Sequence, residues 1–340
     1  MKKRLLATTL ALCVLLGLMS GCGAEQKEQE SEGQQTEQKI NYPTRQIEFV
    51  IGFSAGSGPD LLARNIADRL SQKWGVPVVV TNKTDGSSVT ALKEFISTSK
   101  PDGYTVSIAN IGDLSLHMAA NINPLYSPDD FTYVCQTSKY SMSVTVKADA
   151  PYDTFKELSD WVVANPGELR YCAGNMTGIS AFATAEWVNA IGGDFKAART
   201  IPITGSSDAA VKIAGGNADV IIGSIAGVLP MVEAGNLKIL AMTPEKDPNY
   251  PDIPSAEESG VSGLTLGNWN GIVMPAGADE EIVAMWNEAI EEIYSDPEFL
   301  ETMNNLGAPA VYDSGENWEK VVRDGVESYI ALAEEFGLRK

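Results

Sequence analysis

The stretch Phe49–Leu70, FVIGFSAGSGPDLLARNIADRL, runs from a strand through a turn into a helix. With Ile47 and Glu48 its first part reads as a strand, IEFVIGF. From Pro59 onward Leu61, Leu62, Ile66, Ala67 and Leu70 recur at helical spacing. Pro59 suits a first helical turn and Gly75 a helix stop. Between the two elements, Gly52-Phe53-Ser54-Ala55-Gly56 spells G-x-S-x-G, the pattern of a serine hydrolase's nucleophile elbow. Either Ser54 attacks something, or this glycine-rich turn holds something.

The same alternation continues outward. Val76–Asn82 reads as a second strand, SVTALKEFISTSK as a second helix, and Tyr104–Asn110 as a third strand. The rhythm restarts at Leu169–Asn175, with strands in ARTIPIT, ADVIIGSIAG and LKILAMT and helices in ISAFATAEWVNAIGG and SDAAVKIAGGN. Pro244 to Gly263 is irregular and holds four prolines. NWNGIVMPAG then leads to helical patterns at Asp279–Ser295 and Glu316–Phe336. Two βαβ-type units imply α/β sheets covered on both faces. Ligands of such sheets bind beyond the carboxyl ends of the strands. Those ends supply the candidate site: Phe53, Ser54, Ala55, Gly56, Ser57, Gly58 and Asp60; Asn82, Gly86, Ser87 and Ser88; Asn110 and Gly112; Asn175, Thr177 and Gly178; Thr204, Gly205, Ser206 and Asp208. Small residues let backbone approach a ligand and present N–H and hydroxyl donors. A glycine-rich loop entering a helix N-terminus also favours an anion. Asp60 either offsets the dipole of its helix or meets the ligand.

Catalysis by Ser54 needs a base. The chain has one histidine, His117, in a helical pattern after the third strand, and no HGGG-type segment precedes the elbow. An exported serine hydrolase using Ser54 is therefore the weaker alternative. Gly56-Ser57-Gly58 begins a dinucleotide fingerprint, but Leu61 stands where the third glycine belongs. No Walker motif or metal-ligand spacing occurs, so no cofactor and no metal are expected. The net charge of −20 argues against nucleic acid.

Met1-Lys2-Lys3-Arg4 followed by the apolar run Leu5–Leu18 reads as an export signal, too short for a span of about 20 apolar residues. Met19-Ser20-Gly21-Cys22 resembles a bacterial lipobox, with Met19 where Leu is usual. That resemblance implies lipidation of Cys22 and anchoring to the cell membrane. Ala24–Lys39 has no aromatic or β-branched aliphatic residue and reads as a disordered tether. Cys13 lies in the signal. Cys135 and Cys172 sit in strand-like runs, as buried thiols or as a disulfide formed outside the cell.

YPTRQIEFVIGFSAGSGPDLLAR resembles the opening of the Bug-type extracytoplasmic solute receptors of tripartite tricarboxylate transporters. Tyr42, Pro43, Arg45, Ile47, Phe53, Ala55, Gly56 and Asp60 fit, and Ser57 replaces the second glycine of the pattern. PVVVTNKTDGSS is similar to the family's second loop, with departures at Thr81, Asp85, Ser87 and Ser88. KPDGYTVSIAN matches the P-D-G-Y-T strand, and DFTYVCQTSK has Tyr133 in place of Pro. YPDIPSAEESG and the following W-x-G-x-x-x-P-x-G, from Trp269, complete the order. The resemblance implies a two-domain periplasmic-binding-protein-like clam-shell (type II), each domain a doubly wound mostly parallel sheet. The domains would be 40–140 with 264–340, and 141–263, after a signal at 1–21 and a tether at 22–39, with crossings near 138–145 and 260–268. It further implies a monomer that binds a small carboxylate between Phe53–Asp60 and Asn175–Ser180 and delivers it to large and small transporter membrane subunits. A receptor that feeds a sensor kinase is the alternative within the same fold.

Overall fold

The first strand, β1 (Ile47–Ile51), is apolar on both sides because both sides are covered. Ile47, Phe49 and Ile51 join one buried cluster, and Val50 joins another on the opposite face. The computed structural model describes residues 40–174, 176–306 and 309–340. The export signal, the tether, Cys22 and Asn175 lie outside the described residues.

After β1 come α1 (Gly58–Trp74), β2 (Val78–Asn82), α2 (Ser88–Thr98) and β3 (Thr105–Asn110). Leu62, Ala63, Ile66, Ala67 and Leu70 form the buried stripe of α1, and Gly75 ends it at φ 69°. A π-helical turn, Gly112–Leu116, runs into α3 (His117–Ala120), and β4 (Phe131–Tyr140) follows. The chain then crosses at Ser141 into β5 (Met142–Lys147), α4 (Phe155–Ala164), β6 (Arg170–Ala173), α5 (Ile179–Ala190), β7 (Arg199–Pro202), α6 (Ser206–Ala214), β8 (Val220–Ser224), α7 (Ile225–Glu233) and β9 (Leu237–Thr243). It returns through β10 (Asn268–Pro275), α8 (Glu280–Tyr294), α9 (Pro297–Asn305), β11 (Ala310–Ser314) and α10 (Gly315–Phe336).

The strands form a six-stranded sheet, β11-β4-β10-β3-β1-β2, and a five-stranded sheet, β7-β6-β8-β5-β9. We call the two halves lobe one and lobe two. As expected, most strands of each sheet run one way, although both sheets are mixed. β1 pairs in parallel with β2 and β3, and β6 with β7 and β8, as βαβ units require. The strands next to the crossings pair antiparallel: β10 with β3 and β4, β4 with β11, and β5 with β8 and β9. β5 and β10 each arrive from the other lobe with no helix between them and the preceding strand, and each runs opposite to both of its neighbours.

One strand reading also changes. The apolar run from Ala218 ends its strand at Ser224 and continues as α7, despite Pro230 within the helix. Gly227 permits it: a Cβ there would lie 2.5 Å from the Ser206 Cβ at the start of α6. α4 is an element beyond those expected from sequence, and Thr154 and Glu157 form a capping box at its start. Cys135 and Cys172 are buried free thiols in different sheets. α10 starts on β4 of lobe one. Its last turns reach lobe two, where Tyr329 meets Phe182 and Phe336 meets Phe195 edge-on.

Candidate functional site

The β1–α1 loop is shaped from within. The Gly56 N–H donates to Asp60 Oδ2 over 2.8 Å, and Gly56 turns at φ 81°. Arg64 pairs with both Asp60 oxygens, and Asn82 Nδ2 bridges Asp60 Oδ1 and the Phe53 carbonyl. Asp60 is only 1 % exposed. Burial pushes its carboxyl up, but the Arg64 guanidinium, the Gly56 N–H and the Asn82 amide outweigh that and hold it below the usual carboxylate range. Ser54, Ala55 and Gly56 are left on the surface. Ser57 is the N-cap of α1, yet its Oγ caps nothing and is buried without a partner among the described residues.

The neighbouring loops of lobe one lock onto each other. Ser87 caps α2 through the Thr90 N–H, and Gly86 packs on the Thr90 side chain. Ser88 Oγ donates to Asp113 Oδ1 over 2.5 Å, while Asn110 and Asp113 exchange hydrogen bonds. Asp113 is buried in the π-helical turn beside Gly112, and burial pushes its carboxyl up to about 6 against the bonds from Ser88 and Asn110. Gly52 packs against this corner, where a Cβ would lie 2.6 Å from the Ser88 Cα.

In lobe two, Gly178 and Gly205 are the N-caps of α5 and α6. Thr177 sits beside the first, partly buried. The Thr204 N–H donates to Asp208 Oδ2 over 3.0 Å, and Lys212 pairs with the same oxygen. The Lys212 ammonium and the Thr204 N–H hold the Asp208 carboxyl below its ordinary range. Ser206 fills the space left by Gly223 and Gly227.

A cavity of about 530 Å³ lies between the lobes at these loops. Gly56, Gly58 and Leu61 line it from lobe one, and Ser224, Ile225, Ala226, Leu229 and Pro230 from lobe two, with Tyr140 and Ser141 at the crossing. Of the residues expected from sequence, only Gly56 and Gly58 line it. The other described candidates are not among its lining residues. Sequence reading missed the α7 wall because its helix start was hidden in an apolar run. It also missed Asn249 and Tyr250, which come from an irregular segment with no pattern to read, and Asn304 and Leu306 at the end of α9. Asn249 and Asn304 hydrogen-bond through their side-chain amides and so join the lobes. Glu233 is exposed at the margin, and Asp247 is buried with its Oδ1 on the Asn249 N–H.

The cavity brings two helix N-termini together from opposite lobes. The N-caps of α1 and α7 are Ser57 and Ser224, and neither makes a side-chain cap hydrogen bond. α5 and α6 also begin without one. By contrast α4, α8, α9 and α10 are capped by Thr154, Asp279, Asp296 and Ser314. Side chains thus cap those four helices, while α1 and α7 bring N–H groups and positive dipole ends to the cavity wall.

Nucleophilic chemistry finds no support here. Leu125 N–H donates to His117 Nε2 over 3.2 Å, and Asn121 Nδ2 lies 3.1 Å from Nδ1. No hydrogen bond joins His117 to Ser54 among the described residues. Nor, among them, is any group of His, Cys, Asp and Glu placed to hold a metal ion.

The family described as TctC, Tripartite tricarboxylate transporter family receptor, matches residues 62–338. The UPF0065 protein in gbd 5'region of Cupriavidus necator is 30% identical over 306 residues, covering 89% of this chain and 91% of that protein. The structure of the periplasmic binding protein BugD is 26% identical with a TM-score of 0.70, covering 88% of this chain and 100% of the other. R. palustris Rpa4515 with adipate is 25% identical with a TM-score of 0.72, covering 87% and 99%.

Proposed function

Because the chain belongs to the tripartite tricarboxylate transporter receptor family, in its Bug-type branch, we propose that it captures a small carboxylate between its lobes and delivers it to a membrane transporter. As a member of that family it is an extracytoplasmic solute-binding receptor, not an enzyme. The observation that carries the ligand class is the meeting of α1 and α7. Two helix N-termini without side-chain caps, facing one cavity from opposite lobes, suit a ligand with an anionic group for each. The adipate-bound relative supports the same class.

In this reading Ser57, Gly58 and the first turn of α1 take one carboxylate, and Ser224 to Ala226 take the other. The loops at Gly178 and Gly205 complete the wall of lobe two. Asp60, Asn82, Ser88, Asn110 and Asp208 set the shape of the loops and touch the ligand less. Residues 40–140 and 264–340 act as one domain and 141–263 as the other, closing by a hinge at Ser141 and between Thr243 and Asn268. Cys22 carries the lipid anchor, residues 22–39 form the tether, and the large and small transporter membrane subunits receive the ligand from a monomer.

Calorimetry of the purified protein against di- and tricarboxylates, acidic amino acids and aromatic acids tests the reading. Micromolar or tighter binding of at least one carboxylate is expected, weakened by Ser57→Ala and Ser224→Ala, each by about 0.5–1.5 kcal/mol. Absence of any carboxylate binder would sink it.

A further inference from the structure

α7 lies along the cavity wall, and its two ends differ in charge. Ser224, Ile225 and Ala226 line the cavity at its start, Leu229 and Pro230 at its middle, and Glu233 at its last turn. At the helical rise, Ser224 and Glu233 stand about 13 Å apart. The start offers N–H donors and the positive end of the helix dipole. The last turn has the opposite sign, and Glu233 adds a carboxylate to it.

A second carboxylate stands at that end. Asp247 lines the cavity and is 9% exposed. Its Oδ1 accepts the Asn249 N–H over 2.9 Å, and its Oδ2 takes no hydrogen bond or ion pair among the described residues. Glu233 belongs to no ion pair among them either. Tyr250 completes the corner. Burial, then the Asp247 and Glu233 charges, push its phenol up, so both carboxylates lie near it. No lysine, arginine or histidine is among the described lining residues. Lys139 and Lys246 line a smaller cavity that shares Asp247, but they pair with Glu245 and Glu258. A buried carboxylate without a counter-charge is costly, and a ligand cation relieves that cost.

We propose that Glu233, Asp247 and Tyr250 form a cation subsite, and that the ligand carries a positively charged nitrogen at the end opposite its carboxylate, as in an ω-amino acid. The carboxylate stays with the N-termini of α1 and α7. The apolar chain runs past Leu61, Leu229 and Leu306, which supply apolar surface to the same cavity. The ammonium group meets the two carboxylates and the Tyr250 ring. With a contact of about 3 Å at each end, a five- or six-carbon ω-amino acid matches the length of α7. This rests on the carboxylate-receptor reading above and gives the ligand a second, oppositely charged end.

Calorimetry on the full chain with ligands of matched length tests it: hexanoate, adipate and 6-aminohexanoate, then pentanoate, glutarate and 5-aminopentanoate. In at least one set the ω-amino acid is expected to bind about tenfold or more tightly than the acid with a neutral tail. Asp247→Asn keeps an acceptor for the Asn249 N–H, and Glu233→Gln changes an exposed side chain. In the double variant the gap is expected to close to within about threefold, while the diacid of that set binds more tightly than it does to the wild type, because the repulsion is gone. Opposite signs for ligands of one length exclude a general loss of structure. Should the double variant lose its cooperative melt, Glu233→Gln alone carries the comparison. Equal binding of the ω-amino acids and the neutral-tailed acids by the wild type overturns the proposal, as does a variant that weakens ω-amino acid and diacid alike. Preference for adipate or glutarate over the ω-amino acids would overturn this inference and leave the receptor reading standing. No binding of any carboxylate would remove both.

Discussion

Two loops of this protein are built on one plan, one in each lobe. In lobe one the Gly56 N–H donates to Asp60, four residues on, and Asp60 pairs with Arg64, four further. In lobe two the Thr204 N–H donates to Asp208, which pairs with Lys212 at the same spacing. The surroundings differ. β1 lies between β2 and β3, so Asn82 on β2 can add a donor and the Asp60 side chain is 2% exposed. β7 is an edge strand, and the Asp208 side chain remains 30% exposed. The same brace is thus part of the interior in one lobe and a surface ion pair in the other. Location in the sheet, not the motif, sets how much each loop depends on its aspartate.

The sharpest way to break this contrast is Asp60→Ala. It leaves the Gly56 N–H and the Asn82 amide without their shared acceptor, and is expected to cost about 3 kcal/mol in urea unfolding. Carboxylate binding should fall with it, because the loop loses its internal frame. A cost under about 0.5 kcal/mol would show that the loop holds its shape without the brace.

A second buried carboxylate separates burial from bracing by the sign of its pH dependence. Asp60 is held below its ordinary pKa, so its contribution is present above the unfolded value and lost as pH falls through the lower folded one. Asp113 is raised to about 6, so the folded chain binds that proton more tightly than the unfolded chain does. Its contribution is fullest below the ordinary carboxylate range and is lost as pH rises through about 6. Between pH 4.5 and 7 the wild type should lose on the order of 2 kcal/mol relative to Asp113→Asn, read from urea midpoints at the two pH values. Parallel profiles for the two proteins would show that Asp113 keeps its charge throughout.

The brace itself was half legible in the sequence. Asp60 and Asp208 both stand in the first turn of a helix after a glycine-bearing loop, and the alternation of strands and helices placed both loops at strand ends. Sheet order was not legible, because nothing local says that β1 has two neighbours and β7 one. The antiparallel strands near the crossings escaped the βαβ rhythm for the same reason: their partners are distant in sequence. The α7 wall of the cavity was missed because a continuous apolar run carries no period from which to tell strand from helix.

The glycines of the two loops give a smaller test. Gly56 turns at φ 81°, in the left-handed region, and no atom crowds its missing Cβ. Gly56→Ala should therefore cost about 1–2 kcal/mol through backbone conformation alone. Gly205 is extended at φ 163° with open space around it, so Gly205→Ala should stay within about 0.5 kcal/mol. Equal costs at the two sites, measured by thermal unfolding, would mean that the loops are alike in backbone and differ only in side chains.

Asp208→Ala should have the least effect, and the reason is solvent. Its partners Lys212 and the Thr204 N–H sit where water can replace the carboxylate, and Lys212 keeps a second acceptor in the Pro202 carbonyl. An exposed ion pair of this kind contributes little in water and less in salt. Affinity for the best carboxylate should change by less than about twofold, and the unfolding midpoint should barely move. The salt dependence completes the contrast. Raising ionic strength should erase what small effect Asp208→Ala has, while the loss caused by Asp60→Ala persists, because the buried carboxylate is screened far less. If Asp208→Ala instead removed binding at both low and high salt, lobe two would rely on its edge loop as heavily as lobe one relies on its interior one.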